Sequence, residues 1–179
     1  MLLLSRTSCL TVGAVTVLIG MLSGCAPTPD PAPSPTPAFA SEEEAFAAAE
    51  KVYREYVDAL NARNAGDADP HPQDFLRGSA LEGDIDAQRY LDSAGLTLQG
   101  PIVIASLDTE LKSMSAMATS VIGYVCLDLA GARTIDSSGT DVTPSDRPDV
   151  LSQKVTLTHV DGRFVITDEQ KGDDQRCAS

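Results

Sequence analysis

Basic residues are scarce in this chain: 13 Lys plus Arg stand against 26 Asp plus Glu, for a formal net charge of −13. A surface that acidic repels nucleic acid and anionic headgroups, so neither is expected as a direct partner. Histidine is nearly missing, with only His71 and His159. No Gly-rich phosphate loop, nucleophile elbow or metal-spaced carboxylate cluster occurs, and no internal repeat is visible. The acid pairs in "GDIDA" and "GDDQ" read as solvated surface. There is also no apolar run long enough to cross a bilayer. Spanning takes about 20 such residues, and the longest stretch, Leu10 to Leu22, has about a dozen, the length of a signal-peptide core.

The end of that stretch carries a motif. The sequence Leu22-Ser23-Gly24-Cys25 resembles the lipobox of bacterial lipoprotein precursors and falls where the apolar run ends. By that resemblance residues 1–24 are a signal peptide, and Cys25 is the lipid-modified N-terminus. Two or more acyl chains hold a protein stably at a membrane, so no further membrane-binding patch is required. The resemblance thus implies anchoring to the outer face of the bacterial cytoplasmic membrane. Loss of the leader removes Arg6, its one charged residue, and leaves a net charge near −14. Prolines then occupy positions 27, 29, 31, 33, 35 and 37. Each fixes its own φ and pushes its predecessor towards an extended conformation, so residues 25–40 read as a lipidated cysteine and a linker biased to polyproline II. At about 3.1 Å per residue this spacer reaches up to about 40 Å.

The folded part, 41–179, begins with a capping box, Ser41 followed by Glu44, and three glutamates in the first helical turn. Phe46, Ala49, Tyr53, Tyr56, Val57 and Leu60 recur at helical spacing, predicting a helix over 41–63 that stops near Asn64 or Gly66. Glu50, Arg54 and Asp58 are spaced to pair on its outer face. After a loop holding His71, one or two short helices are expected between 72 and 95, interrupted near Gly78 or Gly83. The period then changes. One strand is expected over 98–109, with Pro101 marking an edge or bend. A second carries Val121, Val125, Leu127 and Leu129 on one face, with a bulge or tight bend at Gly123. The segment around Thr134–Asp149 holds a short arm, and Val155, Leu157 and His159 alternate into a hairpin turning at Asp161-Gly162. Helices first and strands afterwards indicate an α+β fold with an antiparallel sheet.

With Cys25 lipidated, Cys126 and Cys177 remain, and an oxidising exterior permits them to pair. Free thiols and a metal site are the alternatives. Such a bridge would pin the charged tail back onto the sheet.

A long N-terminal helix, short helices and a curved antiparallel sheet resemble the cone-shaped nuclear transport factor 2-like superfamily, which includes ketosteroid isomerase and SnoaL-like cyclases. The segments "VCLDLAGARTIDSSGTDV" and "KVTLTHVDGRFVITD", with a late cysteine, also resemble actinobacterial surface lipoproteins. The resemblance covers about 41–179 and implies a cone whose helix and concave sheet face enclose a pocket. Tyr53, Tyr56 and His159 are the candidate pocket-lining residues, though each also fits plain packing. Asp128 with His159 or Tyr56 would be an acid–base pair only within hydrogen-bond reach. The expectation is therefore a non-catalytic extracytoplasmic module that binds an envelope protein or a small apolar ligand, with no cofactor, metal or catalytic residue assigned. Homodimerisation through the sheet also fits. The alternative is a small cone-fold enzyme (isomerase, dehydratase or hydrolase) with a Tyr/His/Asp pocket.

Overall fold

A computed structural model describes residues 37–67, 69–115 and 118–178. The leader, Cys25 and most of the proline segment lie outside the described residues. Among the described residues no helix is long and apolar enough to cross a membrane.

The architecture is α+β, with both helices preceding the strands. Helix α1 spans Glu42–Ala65. The Ser41 hydroxyl accepts from the Glu44 backbone N–H, and the Glu44 carboxylate accepts from the Ala40 N–H, which closes the N-terminal end. Gly66, at φ 93°, is the left-handed C-cap whose N–H returns to the last carbonyls. The i,i+4 ion pair on this helix joins Lys51 to Glu55, while Glu50 accepts from Thr109 Oγ1 on the sheet. A 3-10 turn, Pro72–Phe75, leads to helix α2, Gly78–Ala94. The interruption thus falls before Gly78, and Gly83 lies inside α2.

Six strands come next: β1 Leu96–Gln99, β2 Val103–Met114, β3 Thr119–Asp128, β4 Arg133–Asp136, β5 Val150–Val160 and β6 Arg163–Lys171. The larger sheet is antiparallel in the order β2-β3-β5-β6, and β1 pairs with β4 in a separate two-stranded sheet. The single strand expected over 98–109 is therefore two. Gly100 and Pro101 break it because the chain there crosses the 130–132 turn at close range. A Cβ on Gly100, at φ 84°, would stand within van der Waals exclusion of the Gly131 carbonyl, which only glycine avoids. Past the break, the Asn61 side chain stands in for a strand partner. It donates to the Ile102 carbonyl at 2.9 Å and accepts from the Ile102 N–H at 2.8 Å. Strand β2 is an edge, in keeping with the proline at its entry.

The expected irregularity at Gly123 does not occur. Gly123 pairs in register with Thr109 and Val155. Its missing side chain serves packing instead: a Cβ there would lie 2.8 Å from Val155 Cγ2 and 3.3 Å from Leu107 Cδ1. The core lies between α1 and the larger sheet, around Ala45, Ala49, Tyr53, Val57, Val121, Val125, Val155, Leu157 and Ile166. Each fully buried aliphatic side chain contributes about 1.5–3 kcal/mol relative to exposure.

The β5–β6 hairpin turns at Asp161 (φ 50°) and Gly162 (φ 83°), as the Asp-Gly pair predicts. The bridge between Cys126 and Cys177 is formed, and it closes a separation of 51 residues. It ties the C-terminal 3-10 turn Asp174–Cys177 to β3. On the same outward-facing side of β3, Arg176 stacks 3.9 Å above the Tyr124 ring.

Candidate functional site

One cavity of about 280 Å³ opens between α1, the end of the larger sheet and the small β1–β4 sheet. Tyr53, Tyr56 and Leu60 come from α1, one helical face at three- and four-residue spacing. Leu127 and Leu129 from β3 and its extension, with Leu151 from β5, provide an apolar floor. Leu98, Ile102 and Ala132 close the side, and Asn64, Arg133 and Arg147 stand at the rim. Arg147 is held there by donating to the Leu129 carbonyl at 2.9 Å and the Ala132 carbonyl at 3.1 Å.

The polar groups gather on one wall. Tyr53 donates its hydroxyl to Gln153 Oε1 at 2.9 Å, and Tyr56 donates to Glu169 Oε2 at 3.2 Å. The two rings meet edge-to-face at 5.9 Å between centroids. Burial raises both tyrosine hydroxyls above their ordinary range, and the charge of Glu169 adds to the effect. They remain protonated donors. Burial also pushes the Glu169 carboxyl up, to about 7, with Asp84 and Asp168 adding to it and the Tyr56 hydrogen bond opposing. This is the one carboxylate among the described residues held near neutrality inside a cleft, a recognised mark of a functional group.

Why Glu169 faces inward is a matter of register. His159 pairs with Phe164 and Leu157 with Ile166, so these β6 residues share the helix-facing side. Plain alternation would put Asp168 there next. The register instead shifts between Thr156 and Leu157, leaving Val155 opposite Glu169. The extra residue is Thr167, and its bulge re-aims the strand by one position. Neighbours hold it in place. Thr167 Oγ1 donates to the Thr156 carbonyl at 3.2 Å, and Ser79 Oγ donates to the Thr167 carbonyl at 3.1 Å. The Arg77 N–H adds a bond to the Ile166 carbonyl at 2.9 Å.

Of the residues singled out by sequence, Tyr53 and Tyr56 line this cavity. His159 does not. It lies at the far end of β5, edge-on to Phe39 at 4.8 Å and Phe164 at 5.4 Å, in an aromatic cluster. Asp128 pairs with Val150 at one end of β5 while Ser120 pairs with Thr158 near the other. A nine-residue span of strand, about 30 Å, therefore separates Asp128 from His159. The Asp128 carboxylate accepts from the Ala130 N–H at 2.8 Å, a turn contact. His71 is exposed ahead of the 3-10 turn. Among the described residues no group of His, Cys, Asp and Glu has the arrangement of a metal site.

No protein-family model matches this chain, and no curated protein matches it. An apolar chamber with a few convergent polar groups on one wall is the general form of a small-molecule site. Gln153 and Glu169, which complete that wall, carry no sequence signal. Both sit in strands among other polar residues, and only the bulge and the register select them.

Proposed function

We propose that this protein is a membrane-anchored extracytoplasmic lipoprotein whose folded part is a non-catalytic binding module for a small, largely apolar ligand. The single observation that carries the binding reading is the cavity of about 280 Å³ lined by Leu60, Leu127, Leu129 and Leu151, with Gln153 and Glu169 on one wall and Asn64, Arg133 and Arg147 at the rim. An engineered apolar cavity of about 150 Å³ takes up benzene, so this one has room for a ligand nearly twice that size. The anchoring reading rests on Cys25 behind the apolar run and the proline spacer after it. The oxidised Cys126–Cys177 pair supports export, since such bridges persist outside the reducing cytosol. The nuclear transport factor 2-like resemblance agrees with a helix and sheet enclosing a pocket. Neither an envelope protein partner nor a homodimer has an observation of comparable weight.

Binding is tested by titrating the folded domain with octan-1-ol and recording the heat of binding. Saturable 1:1 binding that Leu129→Trp abolishes without lowering the melting temperature supports the reading. Binding that survives the filled cavity removes it.

A cone-fold enzyme has one observation in its favour, the Glu169 carboxyl near neutrality beside Tyr56. A group so poised can act as acid or base. The binding reading is preferred because both tyrosine protons are committed to partners within the wall and both hydroxyls are held protonated. Steady turnover of any small carbonyl or ester substrate, lost in Glu169→Gln, would favour the enzyme instead.

A further inference from the structure

The polar wall is more specific than an apolar cavity requires. Tyr53 occupies Gln153 Oε1, so the free part of that side chain is its amide N–H₂, a donor. Tyr56 occupies Glu169 Oε2, so the free part of the carboxylate is Oε1, an acceptor. Both residues line the cavity, and neither free atom is among the buried side-chain atoms that lack a partner. Val125 pairs with Gln153, and Val155 pairs with both Gly123 and Glu169, so the donor and acceptor sit on neighbouring strands of one face. The two tyrosines fix them there by packing against each other.

We infer that the cavity takes an alkyl carboxamide of about ten non-hydrogen atoms, its carbonyl accepting from Gln153 and its N–H donating to Glu169, with the alkyl chain over the leucine floor. This rests on the binding reading and adds the ligand's chemical class to it. The complementarity is one of hydrogen-bond direction. A carboxylate could pair with Arg133 or with the unpartnered Arg147 Nε–H, but seated at the wall of Gln153 and Glu169 it would set its oxygens against Glu169 Oε1, leaving two acceptors face to face. An alkylammonium could satisfy Glu169 but would leave Gln153 unpaired and meet Arg133 and Arg147 at the rim. An alcohol can serve either residue, though not both as fully. A site built to hydrogen-bond its ligand rejects an analogue that leaves buried polar groups unpaired, by tenfold or more.

The test uses octanamide, octanoate and octan-1-ol, measured by calorimetry on the folded domain at pH 8. There Glu169, with its carboxyl at about 7, is mainly ionised. Octanamide is expected to bind at least tenfold more tightly than octanoate and more tightly than octan-1-ol. Glu169→Gln keeps the Tyr56 bond but turns the free atom into a donor, so octanoate should then bind as tightly as octanamide or better. Gln153→Leu should lower octanamide affinity about tenfold while leaving octan-1-ol within about twofold, a second reading should Glu169→Gln fold poorly. Equal binding of octanamide and octanoate to the natural protein, or an unchanged ratio in Glu169→Gln, overturns the carboxamide assignment. Octan-1-ol binding at least as well as octanamide overturns it too while leaving the apolar cavity reading intact. Failure of all three probes, octan-1-ol included, defeats the binding reading itself.

Discussion

Tyr56 on the first helix donates its hydroxyl to Glu169 on the last strand, at 3.2 Å and 113 residues apart in sequence. That bond joins the first helix to the last strand within one wall of the cavity. It also fixes the position of a carboxyl that burial holds near pH 7.

Stability should depend on the ionisation of Glu169. Its folded value, about 7, lies above the ordinary 4.5. The folded state therefore holds a proton that the unfolded chain has lost between those two values. Stability from this group is fully present below about pH 4.5 and is lost as pH rises through 7, on the order of 3 kcal/mol in all. Urea denaturation at pH 5 and at pH 8 should show the loss, and Glu169→Gln should abolish its share of the difference. An identical pH dependence in the variant would contradict the assignment.

The Cys126–Cys177 bridge closes a separation of 51 residues. In the chain-entropy model that contributes about 4 kcal/mol, commonly somewhat less in measurement. Cys126→Ser with Cys177→Ser should lower the denaturation free energy by about 2–4 kcal/mol. Equal stability with and without a reductant would show that the bridge does not constrain the unfolded chain.

Gly123 sits where Val155 and Leu107 close over the backbone. Gly123→Ala should cost about 1–3 kcal/mol by overpacking. Adding Val155→Ala opens the space the new methyl needs, so the double variant should be less destabilised than the sum of the singles. Strict additivity would remove the packing explanation.

Arg63 grips Asp84 with two parallel bonds, at 2.8 and 3.1 Å, and Gln73 adds a third at 3.0 Å. The Asp84 side chain is only 7% exposed, so removing its partner strands a charge. Arg63→Ala should cost about 3 kcal/mol, and Arg63→Lys should recover only part, because an ammonium cannot reproduce the planar fork. Full recovery by lysine would show that charge alone matters.

Much of this fold is legible in the residues. The capping box at Ser41 and Glu44, the helical spacing of Tyr53 and Tyr56, and the Asp161-Gly162 turn are local signals, and the structure realises each one. Compartment and cysteine count permit Cys126 to pair with Cys177 without excluding free thiols, and the bridge is formed. The rest depends on contacts distant in sequence. Gly123 looked like a bulge because glycine in a strand has two meanings, and only the position of Val155 separates them. His159 alternated into the correct face, yet at the end of β5 away from the cavity, since alternation fixes a side and not a height along the strand. Glu169 was hidden more completely. Reading β6 by twos puts Asp168 inside, and the Thr167 bulge that reverses this is held by Ser79 and Arg77, which lie against β6 but 88 and 89 residues earlier in the chain than the groups they bond.

The central claim is that a real chamber lies between α1 and the sheet and receives apolar molecules. Methyl-labelled NMR spectra recorded during titration with octan-1-ol test it most directly. The account predicts saturable shifts at Leu60, Leu98, Ile102, Leu127, Leu129 and Leu151, the side chains that line the chamber. Methyls of these residues that stay still while exposed Val160 or Met114 moves would contradict it.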